Sequence, residues 1–267
     1  MKNELLDVHR AGKLMLFVGA GVSLNVGLPS WSALIGHIAE ELGYDPTIFA
    51  TYGNYLALAE FYKKKKGSLG ALRSWMDREW HKPETDIGKS DIHRLITEGN
   101  FPMIYTTNYD RWLEYAHDKF NVKYDKVASM ADLVSVTNGR RQIIKFHGDF
   151  DADDSIVLDE TSYFERMDFN TPLDIKLRSD VLGNSVLFIG YSLNDPNIRL
   201  LFYRLTKMWG DCALASARPK SYIFTNRPNP VAQEVLRHWG IEMIVSEEDD
   251  PKKALTNFLQ ELVTDLK

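Results

Sequence analysis

LMLFVGAGVSLNVGLPSW, residues 14–31, sets how the remainder of the chain is read. Its apolar opening is a strand, which runs straight into Gly19-Ala20-Gly21 and then a helix start. Gly19 and Gly21 lack a Cβ, so the chain can turn sharply and a diphosphate can approach the backbone, while the helix N-terminus adds partial positive charge. A nucleotide cradle and a plain tight turn both fit this stretch taken alone. The dinucleotide fingerprint asks for a third glycine three positions after the second. Leu24 stands there, which argues against a hydride-transferring dehydrogenase.

The 267 residues, 44% of them hydrophobic, suffice for one large α/β domain with a modest helical insert. A formal charge of -5 and a pI near 5.8 give no overall pull towards nucleic acid or an anionic membrane, and neither is expected as a partner. The lysines at 63–66 form one marked basic run, a solvated helix end or a docking point. A single cysteine, Cys212, excludes an internal disulfide and a cysteine-rich zinc module. The apolar run at 14–22 leads into an amphipathic helix and not into a cleavage site, and no segment reaches the ~18 apolar residues that span a bilayer. A soluble, cytoplasmic protein of a reducing compartment is expected.

After the glycine turn, Pro29-Ser30 opens a helix whose apolar positions Trp31, Leu34, Ile35, Ile38 and Leu42 are expected to lie on the sheet. Residues 43–99 change character, with aromatics and alanines at helical spacing and no convincing strand, and are read as a helical insert. The strand pattern then returns at 102–106, 142–146, 185–189, in SYIFTN from 221, and at 241–245, and Asp250-Pro251 opens a closing helix. Polar knots follow these strands: Thr107-Asn108-Tyr109-Asp110, His147-Gly148-Asp149, Gly190-Tyr191-Ser192 and Thr225-Asn226. Strand-turn-helix repeated this often predicts an α/β fold, a doubly wound and mostly parallel sheet, in one domain over 1–267 with its ligand crevice at the carboxyl ends of the strands.

Four strand ends together, GAGVS, TTNYD, KFHG and GYSLND, closely resemble the nucleotide site of the sirtuin fold. The resemblance is specifically to the bacterial sirtuin-like family that includes NAD-consuming antiphage effectors, and it runs in order from 14 to 226. It implies that Gly19, Ala20, Gly21 and Ser23 hold the diphosphate, with Thr107 also in the nucleotide site. Asn108 would contact the nicotinamide ribose and help place the nucleophile, Asp110 would lie near the carboxamide, and His147 would be the general base. Gly190 and Ser192 would line the adenosine side, and Asn226 would take the adenosine ribose hydroxyls. Asp195 could join them or simply cap the helix at Pro196.

Those residue types suit cleavage of the bond between nicotinamide and ribose. An oxocarbenium-like sugar needs its hydroxyls held by uncharged directional donors and a base that titrates near neutrality. Simpler roles remain open: His147 as a turn residue, and Asn108 with Asp110 as an Asx turn capping a helix. His9, His37, His81, His93, His117 and His238 show no metal-ligand spacing and receive no role, and no metal is expected. Two departures from deacylating sirtuins matter. The two cysteine pairs of their zinc module cannot be built from Cys212 alone, and Gly27-Leu28-Pro29-Ser30-Trp31-Ser32 replaces their Gly-Ile-Pro-Asp-Phe-Arg. The resemblance therefore implies an NAD glycohydrolase, with NAD as substrate and water as acceptor. A deacylase or ADP-ribosyltransferase, and a non-catalytic NAD or ADP-ribose sensor, are the competing readings. A homo-oligomer or a separate sensor subunit is the expected partner, and the insert's Tyr55, Trp75 and Trp80 are the candidate surface.

Overall fold

Successive residues of a strand face opposite sides of a sheet. In β1 (Leu14–Val18) Leu14, Leu16 and Val18 therefore enter one core while Met15 and Phe17 enter the other, and all five are buried. Burial on both faces explains the unbroken apolar run and demands helices on both sides. The computed structural model describes residues 2–151, 155–168, 170–191, 196–210 and 218–265. Around β1 the elements are α1 (Lys2–Arg10), α2 (Ala20–Leu24), α3 (Trp31–Leu42), α4 (Pro46–Phe49), α5 (Tyr55–Lys66), α6 (Gly70–Trp80) and α7 (Asp91–Glu98). They continue through β2 (Met103–Thr106), α8 (Trp112–Lys119), β3 (Tyr124–Val127), α9 (Met130–Ser135), β4 (Arg141–Lys145), α10 (Glu160–Met167) and α11 (Pro172–Gly183). The last are β5 (Ser185–Ile189), α12 (Pro196–Gly210), β6 (Ser221–Thr225), α13 (Pro230–His238), β7 (Ile241–Val245) and α14 (Pro251–Thr264).

The seven strands form one sheet in the order β3-β4-β2-β1-β5-β6-β7, and every pairing is parallel. Because β1 lies between β2 and β5, the chain reverses its winding there, and a switch point of this kind leaves a crevice at the carboxyl ends. Register brings those ends level: Val18 pairs with Thr106 and Ile189, and Thr106 pairs with Lys145. One face is covered by α1, α7 and α14, through Leu5, Leu95 and Leu259 among others. The other is covered by α11, α12 and α13, through Leu177, Phe202 and Leu236.

A third core belongs to a helical layer built from α3 to α6, which also takes in Tyr109, Phe150, Ile156 and Leu158 from the loops after β2 and β4. The apolar face of α3, expected on the sheet, packs here against Phe49, Leu58, Tyr62 and Met76. Gly27 provides the physical reason: at φ 89° it turns the chain away after the short α2, before α3 begins. Conversely α7, inside the stretch read as insert, packs under the sheet through Ile92, Leu95 and Ile96. The strand β3 was not expected, and the observed parallel sheet has it as one edge.

The insert aromatics have different fates. Tyr55 is exposed and stacks on Trp31, whereas Trp75 lies 3.6 Å from His37 ring to ring and Trp80 packs on Tyr109 and Phe150. Trp75 and Trp80 thus serve the layer's own packing. No described helix is long and apolar enough to cross a membrane, and no described group of three or more His, Cys, Asp or Glu could hold a metal ion. Cys212 lies outside the described residues.

Candidate active site

The turn after β1 is locked to the end of β5. Gly19 N–H donates to Ile189 O and Gly21 N–H to Gly190 O, both at 2.9 Å. A Cβ on Gly19 would collide with Gly190 O and Tyr191, and one on Gly21 would lie 2.9 Å from Gly190 O. Gly190 itself has φ 58°, a conformation that favours glycine. The three glycines therefore let two strand ends touch across the switch point, and the amides of Gly19 and Gly21 are spent on that contact. Ala20, between them, is exposed at the start of α2. Gly19→Ala should be destabilised by about 2–3 kcal/mol through overpacking against backbone that cannot retreat. Thermal denaturation should show a fall in Tm of roughly 5 °C.

Beside this contact a chain of hydrogen bonds crosses from β1 to β2. The hydroxyl of Thr106 donates to Val18 O at 2.8 Å and accepts from Asn108 N–H at 3.0 Å. Asn108 Nδ2 donates to Ser23 Oγ at 3.1 Å, and Ser23 Oγ donates to Asp110 Oδ2 at 2.7 Å. The other carboxylate oxygen, Asp110 Oδ1, accepts from Trp112 N–H at 3.1 Å. Asp110 thus does cap α8, as an Asx turn would, and the same carboxylate also terminates the Asn108–Ser23 chain. Ser23 and Asp110 are each 3% exposed, while Thr107 and Asn108 are half-buried. The result is a half-exposed carboxamide on a buried polar anchor.

His147 follows β4, the neighbour of β2, and is 1% exposed. Its ring packs edge-on against Tyr163 of α10, with centroids 5.2 Å apart, and beside Phe146. Its carbonyl accepts from Val157 N–H at 2.9 Å, and Val157 O accepts from Tyr109 OH at 2.7 Å. The loops after β2 and β4 are thereby tied together. Gly148, at φ 93°, packs so close to the Ser155 backbone that no side chain fits. Lys126 of β3 holds Asp149 at 3.0 Å, and Arg111 reaches Asp77 of α6 and Asp151, clamping the same loop from both sides.

The remaining predicted residues are distributed along the same edge. Gly190 is half-buried at the end of β5, and Asn226 is half-buried after β6, where its Nδ2 donates to Asp249 O at 2.9 Å. That bond pins the segment before α14 and leaves the carboxamide oxygen as the remaining polar end. Ser192 and Asp195 lie outside the described residues. The structure brings together Ser23, Asn108 and Asp110 by direct hydrogen bonds, and sets His147 after β4 on one side of the β2–β1 centre and Gly190 and Asn226 after β5 and β6 on the other.

Sequence reading missed three supports. Thr106 reads in the sequence only as the end of a strand. Lys145, the last residue of β4, donates to the Asp110 carbonyl. His93 of α7, to which no role was assigned, is fully buried, is bonded through Nδ1 to Ser90 Oγ at 2.7 Å, and is close enough to feel the Asp110 charge. Burial drives its pKa down to about 4 against the opposing pull of Asp110. A lysine set between the apolar Ile143-Ile144 and Phe146 is the one visible signal.

A family model for the SIR2-like domain matches residues 102–244. The chain is 29% identical over 245 residues to defense-associated sirtuin 2 of Bacillus subtilis, a match covering 88% of this chain and 23% of that protein. It is 28% identical over 195 residues to the NAD(+) hydrolase ThsA of Bacillus cereus, covering 71% and 39%, and 28% identical to the ThsA of Enterococcus faecium, covering 70% and 38%. The chain therefore spans about a quarter to two fifths of the length of these relatives. Among solved structures, a Sir2 homologue in complex with NAD superposes with a TM-score of 0.50 at 14% identity, covering 100% of this chain and 96% of that one. A mutant Sir2 homologue in complex with ADP-ribose superposes at 0.51 with 15% identity and the same coverage. At such identities the superpositions speak for the fold, and they agree with the parallel sheet and its crevice. With a domain match over more than half its length, beginning at β2 and running to β7, the chain belongs to the SIR2-like family.

Proposed function

We propose that this chain is an NAD glycohydrolase unit that cleaves NAD to nicotinamide and ADP-ribose. The observation that carries the reading is the Ser23–Asn108–Asp110 hydrogen-bond chain at the switch point, with His147 on the adjoining strand end. The names of the ThsA relatives support the reaction, and the name of the Bacillus subtilis relative supports a role in defence.

In this reading the diphosphate lies along the exposed Ala20 edge of the turn, and the adenosine extends over Gly190 and Asn226. The nicotinamide ribose lies at Asn108, with Thr107 beside it and Asp110 towards the carboxamide. Ser23 anchors the Asn108 nitrogen, so its carboxamide oxygen is left to accept from a sugar hydroxyl. The bond from C1′ to the nicotinamide nitrogen breaks, both electrons leave with the now neutral nicotinamide, and the positive charge passes to C1′ and the ring oxygen. Water adds at C1′ and gives its proton to His147, yielding ADP-ribose. An uncharged carboxamide suits this step, because it orients the sugar without adding charge beside a developing cation.

An enzyme that drains NAD has to be held in check. We assign that control to assembly with further copies or with a sensor subunit, in the cytoplasm where the substrate is found. Exposed Tyr55 on the helical layer is the remaining aromatic candidate for such a contact. The test is direct: the purified chain, alone and with candidate partners, is incubated with NAD, and free nicotinamide and ADP-ribose are quantified. Equimolar release of both is expected. A product that appears only with an acylated peptide, or only as ADP-ribosylated protein, would replace hydrolysis by transfer.

A further inference from the structure

A buried ammonium is kept in a fold only when paired, because removing it from water is costly. Lys145 closes β4 two residues before His147 and is fully buried. Its ammonium donates to the backbone carbonyl of Asp110 and lies 3.3 Å from Glu114 Oε1 in the first turn of α8. Glu114 is also buried, and Lys145 is the counter-charge the structure sets against its carboxylate. Burial pushes the Glu114 carboxyl up, and the ammonium pulls it back. Three segments meet at one nitrogen: the strand leading to His147, the turn carrying Asn108 and Asp110, and the helix that Asp110 caps.

We propose that Lys145 is a positioning residue whose ammonium, neutralised by Glu114, holds the Asp110 carbonyl and so fixes the Asn108–Asp110 turn relative to His147. The inference rests on the hydrolase reading for its kinetic consequence. Asn108 and Asp110 leave the backbone on either side of one residue, so holding the Asp110 carbonyl restrains the whole turn. A displacement of about 1 Å between reacting groups costs on the order of 10²-fold in rate. A bare ammonium close to a forming sugar cation would repel it. Glu114 cancels that charge, so the pair contributes geometry.

The competing view is that the pair merely stabilises the fold. Removing Lys145 alone leaves Glu114 uncompensated and lowers stability whatever its role, so that variant does not decide. Replacing a buried pair by apolar residues of similar volume is often neutral or stabilising. Lys145→Met combined with Glu114→Leu therefore separates the two. We expect this double variant to melt close to wild type, to keep its KM for NAD, and to lose about 10²-fold in kcat. In ¹⁵N-labelled protein the Asn108 side-chain amide, bonded to Ser23 in the wild type, should shift and broaden. A stable double variant with wild-type kcat and an unshifted Asn108 amide overturns the proposal. If the wild-type chain releases no nicotinamide either alone or with candidate partners, the hydrolase reading falls, and the Asn108 amide alone decides whether Lys145 positions the turn.

Discussion

Asn108→Ala and His147→Ala are expected to lose NAD hydrolysis by at least about 10²-fold each, by failing at different steps. Asn108 is the half-exposed end of a chain that runs through Ser23 to the Asp110 carboxylate, so its carboxamide is held before substrate arrives. Preorganised groups of this kind are typically worth about 10²–10³-fold, and alanine removes the contact to the ribose as its charge develops. Both hydrolysis and exchange of added labelled nicotinamide into NAD should fall together. His147 acts later, on the water. Without it the sugar cation still forms but is recaptured by nicotinamide before water adds. Hydrolysis should drop by about 10²–10⁴-fold. Exchange of labelled nicotinamide should persist. The measurement is a paired assay of ADP-ribose formation and nicotinamide exchange on each variant, with ADP-ribose binding followed by calorimetry. Equal loss of exchange in both variants would remove His147 from the water step.

The fold was legible where the sequence carries a strong period. The unbroken run of β1 announced burial on both faces, and the polar knots after β2, β4, β5 and β6 announced one functional edge. Legibility failed where the signal belongs to a partner segment. In β3 the sequence YDKV has a single buried residue, Val127, and its pairing with β4 is visible only once β4 is beside it. The helix α3 shows an apolar face, but a face does not say which core will take it, and the left-handed Gly27 sends it to the helical layer.

The candidate site divides in the same way. Each residue could be assigned to a strand end from its neighbours in sequence. That the Ser23 hydroxyl would find Asp110, 87 positions away, depends on the register between β1 and β2. The glycine turn is the sharpest instance. Its glycines were explained by an approaching diphosphate, and the structure shows a nearer cause in the backbone of β5 pressed against them. Both demands act on the same atoms, and composition alone cannot separate them.

Acid should unfold this protein through histidines that its cores keep neutral. His117 of α8 is fully buried, with Nδ1 donating to Leu113 O at 2.7 Å and Nε2 accepting from Arg141 at 2.9 Å. Burial is the main cause that lowers its pKa to about 4, helped by Arg141, since a second proton would place an N–H against a guanidinium. His93 is lowered to about 4 by burial, and His9, stacked on Phe101 and bonded to Gly99 O, is lowered in the same direction for the same reason. In the unfolded chain each titrates near its ordinary value of about 6.5. Above that pH neither state is charged, and these groups add no pH dependence. Between about 6.5 and 4 the unfolded chain takes up protons that the native state refuses, so stability falls as pH falls, and the loss is complete below about 4. A difference of this size corresponds to about 3 kcal/mol for each of His93 and His117, a large share of the 5–15 kcal/mol typical of a domain. Urea denaturation at intervals from pH 7.5 to 4.5 should show a midpoint that is flat at first and then drops steeply, with the native imidazole resonances of both residues untitrated above pH 5. A midpoint independent of pH through this window would mean that these histidines are protonated or exposed in the native state. Because His93 lies near enough to Asp110 to sense its charge, the proton that finally enters α7 also disturbs the carboxylate on which Ser23 and Asn108 hang.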